Sequence, residues 1–422
     1  MKVVSKELMD GVHLTCLWAD KFKTNLISAQ MVLPLQEERA SWNALLPNVL
    51  RRGTARYPDM ESLSKELDLL YGAQLNPTVR KKGENQCIGF VGSFLEEGYL
   101  PEKQHLLEPV VTLLGEMFCQ PATNNGRFVS SYVEGEKQNL ADLIRSSLND
   151  KREYASRRLI QEMCRGEAYG VSRLGEESGI EKISAGKLYL YYQELLAQAP
   201  LELFYCGPLP VQRVERAFTE AFSMLPRRQI QPWNITAQRP APEQPRYITE
   251  CMDVTQGKLC LGFRCTAKDW PAMMMANVIF GGSSMSKLFM NVRERLSLCY
   301  YAGSAYHRSK GLLTVSSGIE VENYQKVLDE ILRQLQAVQK GEWEDWEQES
   351  ALRLLCSSLR SMEDSAGQME DFLLGQAVLG SADSPESIME QLQQVDARRI
   401  SLAAESVRLD TVYFLKGEQE HD

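Results

Sequence analysis

The sequence predicts an α+β fold in two related halves, each with helices packed on a mainly antiparallel sheet. Three observations carry that reading. Short apolar runs, alternating or continuous, are separated by longer stretches with apolar residues at three- and four-residue spacing, the patterns of strands and amphipathic helices. Residues 226–246 contain Pro226, Pro232, Pro240, Pro242 and Pro245 with few aliphatics and no periodicity. That stretch reads as an extended linker between a domain over 1–225 and a second over 247–422. A weak internal repeat relates the halves. With Asn48-Val49-Leu50 set on Asn277-Val278-Ile279, Gly53 falls on Gly282, Leu67 on Leu296, Leu69 on Leu298 and Tyr71 on Tyr300. Identities this sparse are also compatible with chance.

In chain order, the first half has strands predicted over 13–20, 25–35 and 85–94, helices over 60–72 and 108–118, and a closing strand over 201–207. The second half has strands over 258–267, 300–309 and 312–320, helices over 322–340 and 343–362, and a closing strand over 411–417. Both repeated stretches read as helix, glycine break, second amphipathic helix, then strand. The first half is the longer one inside, and its extra residues fall around 92–109. Met273, Met274 and Met275 sit on an apolar helix and belong to a core.

The 422 residues allow two or more cored domains, and 44% hydrophobic with 24% charged residues is ordinary globular composition. A net charge of -9 leaves no basic excess for phosphates, so no nucleic-acid partner is expected. The ten cysteines are scattered without a C-x-x-C pair, as free thiols in a reducing compartment are. The N-terminal stretch has no apolar signal core, and the most apolar run, 271–280, is about half the ~20 residues a membrane span needs. A cytoplasmic protein with no membrane partner is expected.

Residues 42–54, WNALLPNVLRRGT, form a short apolar helix ended by Gly53-Thr54. Around that break the chain resembles the inverzincin peptidases, the insulinase, pitrilysin and mitochondrial processing peptidase family. There this stretch carries H-x-x-E-H just before a Gly-Thr. Aligned on Gly53 and Thr54, Ala44, Pro47 and Asn48 stand where the first histidine, the glutamate and the second histidine would be. The resemblance spans nearly the whole chain. Residues 169–196 resemble the family's stretch before its last first-domain strand, and 280–301, FGGSSMSKLFMNVRERLSLCYY, its Gly-Gly, Ser-x-Leu-Phe, Leu-Arg-Glu and Leu-Ala-Tyr succession. It implies two related α+β domains, each a sheet with helices on one face. Pairs of such subunits close around a chamber for short unfolded peptides.

Zinc hydrolysis needs neutral imidazoles to hold the metal and a carboxylate to take a proton from its water. Ala44 offers no ligand, Pro47 removes the base and disturbs the helix, and the Asn48 amide is a poor zinc ligand. The family's third ligand falls within 134–144, and with Glu136-Lys137 on its Glu-Lys the ligand position is Leu143. His13, His105, His307 and His421 make no helical pair. No metal, no cofactor and no independent hydrolysis are therefore expected.

Arg293 and Tyr300 form the other signal. On spacing alone they read as a solvated helix charge and a strand aromatic. The resemblance implies instead a substrate-binding pair that reaches across the chamber toward the scissile carbonyl. The leading expectation is a noncatalytic subunit of a heterodimeric zinc peptidase, its partner a homologous H-x-x-E-H subunit. Bacterial pairs with one degenerate and one intact member are the nearest resemblance. The alternative is a homodimer that binds peptides or scaffolds. Residues 281–289, GGSSMSKLF, lack phosphate-loop spacing, so they are not expected to bind nucleotide. Cys299, beside Tyr300, is a thiol without a nucleophile motif.

Overall fold

The structure, a computed structural model, describes residues 2–102 and 104–417. His421 lies outside the described residues. Two compact units are formed from discontinuous segments: unit 1 from Met1–Arg145, Val171–Ile235 and Ser365–Gly380, and unit 2 from Ser146–Gly170, Thr236–Asp364 and Ser381–Asp422. Each unit thus takes one helix from the other half of the chain.

Unit 1 holds strands β1 (Lys2–Met9), β2 (Val12–Trp18), β3 (Thr24–Pro34), β4 (Gln74–Lys82), β5 (Asn85–Leu95) and β6 (Leu201–Gly207), in the order β1-β2-β6-β3-β5-β4. Every pairing is antiparallel except β2 with β6. Unit 2 holds β7 (Arg246–Cys251), β8 (Gly257–Cys265), β9 (Cys299–His307), β10 (Leu312–Ile319) and β11 (Val407–Lys416), in the order β9-β10-β8-β11-β7. Its one parallel pair is β11 with β7. Read from the β4 edge, unit 1 runs β4-β5-β3-β6-β2, the same succession with the parallel pair in the same place, and then adds β1. The weak repeat of the sequence is a repeat of topology.

The pleat alternates side chains between faces, so one strand serves two layers. On β3, Ile27, Ala29, Met31 and Leu33 join the main core with residues of the helices Glu37–Leu50, Leu107–Cys119 and Ala185–Gln198. Val32 faces the other way, where with Cys87 it packs against Leu374 and Val378 of the helix Ala366–Leu379. The Ser28 hydroxyl donates to Glu370 at 2.7 Å, and Arg80 clamps the same carboxylate through two nitrogens at 2.6 and 2.8 Å. Unit 2 repeats the device with the helix Lys151–Met163, whose Tyr154, Ala155 and Leu159 pack on Cys260, Tyr413 and Leu415. Gly262 lets that helix approach, since a Cβ there would lie 2.6 Å from Met163 Sδ.

The pin of unit 2 is ionic and buried. Arg264 donates to Asp410 at 2.7 Å, to Glu167 at 2.6 Å and to the Met163 carbonyl at 2.9 Å. Lys310 reaches the same Glu167 at 2.6 Å. Burial pushes the Glu167 and Asp410 carboxyls up, but hydrogen bonds from Arg264 and Lys310 to the first, and from Thr411, Arg246 and Arg264 to the second, outweigh it and hold both below their ordinary values. Eight of the ten cysteines are buried, and Met273 and Met275 are core residues of the helix Trp270–Phe280. Among the described residues no helix is long and apolar enough to cross a membrane.

Removing Arg264 would take away the buried cation that Glu167 and Asp410 share and leave them to Lys310 and to Arg246 with Thr411, so Arg264→Ala is expected to fall at the lower end of the ~3–5 kcal/mol that breaking a buried pair costs. A urea midpoint equal to that of the parent protein would contradict this. The carboxyls titrate lower when folded than unfolded. Their contribution is therefore complete above the unfolded values near ~4 and is lost as pH falls through the folded ones, which an acid-unfolding series tests.

Candidate functional site

Beyond its exposed first turn the helix Glu37–Leu50 is largely enclosed: Ala40 through Pro47, Val49 and Leu50 are buried, and Asn48 is half-buried. Its polar groups must then find partners inside the protein, and they do. The Asn43 amide donates to Gln86 at 2.9 Å and its oxygen accepts from the Tyr191 hydroxyl at 2.8 Å. Gln86 in turn donates to the carbonyls of Ala40 (3.1 Å) and Arg173 (2.6 Å). Ser41 donates to the Glu176 carbonyl at 2.9 Å and accepts from the Glu176 N–H at 3.1 Å.

At the three zinc-motif positions, Ala44 and Pro47 lie in that buried set, and the Asn48 amide donates back to the Ala44 carbonyl at 3.3 Å. Pro47, inside the helix, has no N–H to give to the preceding turn. The break that follows is a close approach of backbones. A Cβ on Gly53 would fall 2.6 Å from the Pro58 carbonyl group, and the Gly53 carbonyl accepts from the Ala122 N–H at 2.9 Å. The helix Ser130–Ser146 places Leu143 outward, 52% exposed. The carboxylate it does bring to the break is Glu136, bonded to Arg52 and to Asn139 (3.1 Å). This donor set does not fit zinc.

The three described histidines are dispersed. His13 faces Glu202 at 3.3 Å, His105 faces Glu97 at 3.2 Å, and His307 meets the Thr314 hydroxyl at 3.1 Å. Glu97, His105 and Glu108 bring their ligand atoms within 4.8 Å of one another. Arg213 already fills that cluster, donating to both carboxylates in four bonds of 2.7 Å. Burial pushes the Glu97 carboxyl up, yet bonds from Arg213 and His105 overcome this and hold it near about 2. Sequence reading missed this ion-pair centre because its members, although Glu97 and Glu108 lie in the extra stretch, meet Arg213 only through the fold.

Arg293 and Tyr300 both stand in unit 2, at the end of one segment and the start of the next. Residues Leu288–Arg295 wind as a π-helix, a rare geometry that often marks functional sites. Arg293 is accessible, stacked over the Phe289 ring at 4.6 Å and 3.7 Å from Glu294. Tyr300 is 56% exposed and its hydroxyl donates to Glu320. That hydrogen bond, followed by the carboxylate's charge, raises the phenol above its ordinary value. The two side chains thus have separate partners. Glu320 follows the strand β10, which pairs Ile319 with Cys299, so hairpin register is the signal that would have found it. Cys299 is buried and its thiol is pushed up to about 11 by burial, which removes it as a nucleophile near neutral pH.

Comparison with known proteins gives a consistent picture. The family model described as the peptidase M16 inactive domain matches residues 182–355. The chain is 36% identical over 413 residues to the probable inactive metalloprotease YmfF of Bacillus subtilis (strain 168), covering 97% of this chain and 96% of that one. It is 25% identical over 169 residues to the uncharacterized zinc protease YmxG of the same organism, 38% of this chain and 41% of that protein. A conserved protein from Enterococcus faecalis V583 superposes over 100% of both chains with a TM-score of 0.91 at 27% identity. A protease from Helicobacter pylori has the same fold, with a TM-score of 0.80 at 16% identity over 98% of this chain and 99% of that one.

Two outcomes follow from the geometry. Dialysed against zinc and then against buffer, the chain is expected to retain no stoichiometric metal; one tightly held equivalent would contradict the reading of Ala44, Pro47, Asn48 and the Arg213 cluster. Glu320→Gln removes the acceptor charge that raises Tyr300, so the phenol should ionise at lower pH. An unchanged tyrosine titration by ultraviolet difference spectroscopy would count against that pairing.

Proposed function

The chain belongs to the M16 peptidase family as an inactive homologue, and from that premise we propose that it is the noncatalytic subunit of a heterodimeric zinc peptidase. In this reading a homologous H-x-x-E-H subunit brings the metal, the water and the base. This chain brings Arg293, Tyr300 and one wall of a chamber for short unfolded peptides. The observation that supports the reading is the asymmetry between the two signals: Ala44 and Pro47 are buried and offer no ligand, while Arg293 and Tyr300 remain accessible.

The chemistry asked of the pair is modest. As a peptide carbonyl gains negative charge during attack, a guanidinium and a phenol donate hydrogen bonds to its oxygen. A phenol is protonated at neutral pH in any case, and Glu320 holds the Tyr300 phenol further toward that donating form. When substrate arrives, that proton turns from Glu320 to the carbonyl oxygen. Arg293, permanently charged, orients the peptide and adds to the stabilisation.

Peptide cleavage by this chain alone, by an H-x-x-E-H homologue from the same genome alone, and by the two co-expressed tests the proposal. Cleavage by the mixture well above the sum of the separate samples is expected. No complex and no stimulation would overturn it in favour of a peptide-binding or scaffolding homodimer.

A further inference from the structure

The place of Tyr300 depends on three strand ends that the register brings side by side in unit 2. Gly257 at the start of β8 pairs with Ile319 at the end of β10, and Ile319 pairs with Cys299 at the start of β9. Gln256, Glu320 and Tyr300 each stand one residue from that row. The next pair of β9 and β10 is Tyr301 with Gly318, so Tyr300 is the extra residue of a β-bulge. Bulges re-aim side chains, and this one leaves the phenol exposed at the end of the sheet, bonded to Glu320.

Glu320 shares the phenol with a second polar group, the side chain of Gln256. Glu320 raises the phenol, first by its hydrogen bond and then by its charge, whereas Gln256 lowers it, the direction of a group that donates to the phenol oxygen. The amide has one end left for that task. Its oxygen accepts from the Lys258 ammonium at 2.5 Å, so the NH₂ is the end that can serve Tyr300. A cation on the amide oxygen also polarises the amide and strengthens its N–H groups as donors. Gly318 makes the room. A Cβ there would fall 2.9 Å from the Gln256 oxygen and 2.5 Å from the Tyr301 ring.

We propose that Gln256, held by Lys258, is a positioning residue for Tyr300 during peptide cleavage. A phenol has one proton to give and lone pairs that accept. While the proton goes to Glu320, the carboxylate sets the direction of the O–H. When a substrate carbonyl takes the place of Glu320, the Gln256 N–H sets it instead by occupying a lone pair of the phenol oxygen. The proton is then held toward the substrate, and the phenol donates more strongly to an oxygen whose charge develops only in the transition state. The role in cleavage rests on the shared active site proposed for Arg293 and Tyr300; the hold of Gln256 on the phenol does not.

Two measurements on the full chain test this, with thermal unfolding curves to show that each variant is folded. The first follows tyrosine ionisation by ultraviolet difference spectroscopy, with the step of Tyr300 assigned by its loss in Tyr300→Phe. It is made in a Glu320→Gln background, which brings the phenol to lower pH. There Gln256→Met, similar in length but without a donor, should move the step to higher pH, and Lys258→Met should move it the same way by less. A step unmoved by both would overturn the proposal. The second is steady-state cleavage by this chain co-expressed with its H-x-x-E-H partner. Gln256→Met should lower kcat ~3–10-fold with KM changed by less than about twofold, and should cost nothing further once Tyr300 is replaced by Phe. An equal fractional loss in the Tyr300→Phe background would overturn the proposal and leave Gln256 a structural role. Parent-like kinetics of Tyr300→Phe in an intact complex would instead remove the shared active site and, with it, the part of Gln256 in cleavage. A titration shift that persists tells that failure apart from the first.

Discussion

A helix surrounded by core on every side has to satisfy its polar groups from within, because water cannot reach them. That constraint governs the buried stretch from Ala40 to Pro47 of the helix Glu37–Leu50 and much of what is built around it. Asn43, Gln86 and Tyr191 join it to β5 and to the helix Ala185–Gln198, and Ser41 fixes the turn at Glu176. A zinc helix must instead leave imidazoles and a carboxylate facing an open coordination position. Here the corresponding turn carries Ala44 and Pro47, and the one polar side chain left, Asn48, bonds to its own helix. At these positions the helix offers the interior apolar carbon and one internally satisfied amide, and no group that would hold a metal.

The same economy appears on the second face of each sheet. A sheet with apolar side chains on both faces needs cover on both, and each unit obtains it from a helix of the other half of the chain. Apolar contact alone fixes neither position nor direction. Arg80 on Glu370 in unit 1, and Arg264 on Glu167 and Asp410 in unit 2, supply directed bonds that do. Breaking such a buried pair costs more than forming it contributes, so these charges set the placement of the helices more than their stability.

Much of the fold was legible from periodicity. The strands β2, β3, β5, β6, β8, β9 and β10 and the long helices of both halves fall within a few residues of their predicted places. The sparse identities linking Asn48 with Asn277 and Gly53 with Gly282 correspond to a shared strand order. The exchange of helices was not legible, since an amphipathic pattern declares that a helix has a buried face but not which sheet buries it. Arg80 and Glu370 are too far apart in sequence for any local rule to pair them. At the candidate site, the missing zinc ligands could be read directly, because side-chain chemistry at Ala44, Pro47 and Asn48 decides the matter. The π-helical winding before Arg293 and the Glu320 acceptor of Tyr300 depend on hairpin register and packing.

The most direct measurement is steady-state cleavage by the purified heterodimer carrying Tyr300→Phe or Arg293→Ala in this chain, with complex formation checked by gel filtration. If the two side chains donate to the developing oxyanion, kcat should fall ~10²-fold or more for Tyr300→Phe with KM little changed, while Arg293→Ala should lower kcat and raise KM. Parent-like kinetics from both variants in an intact complex would contradict a shared active site.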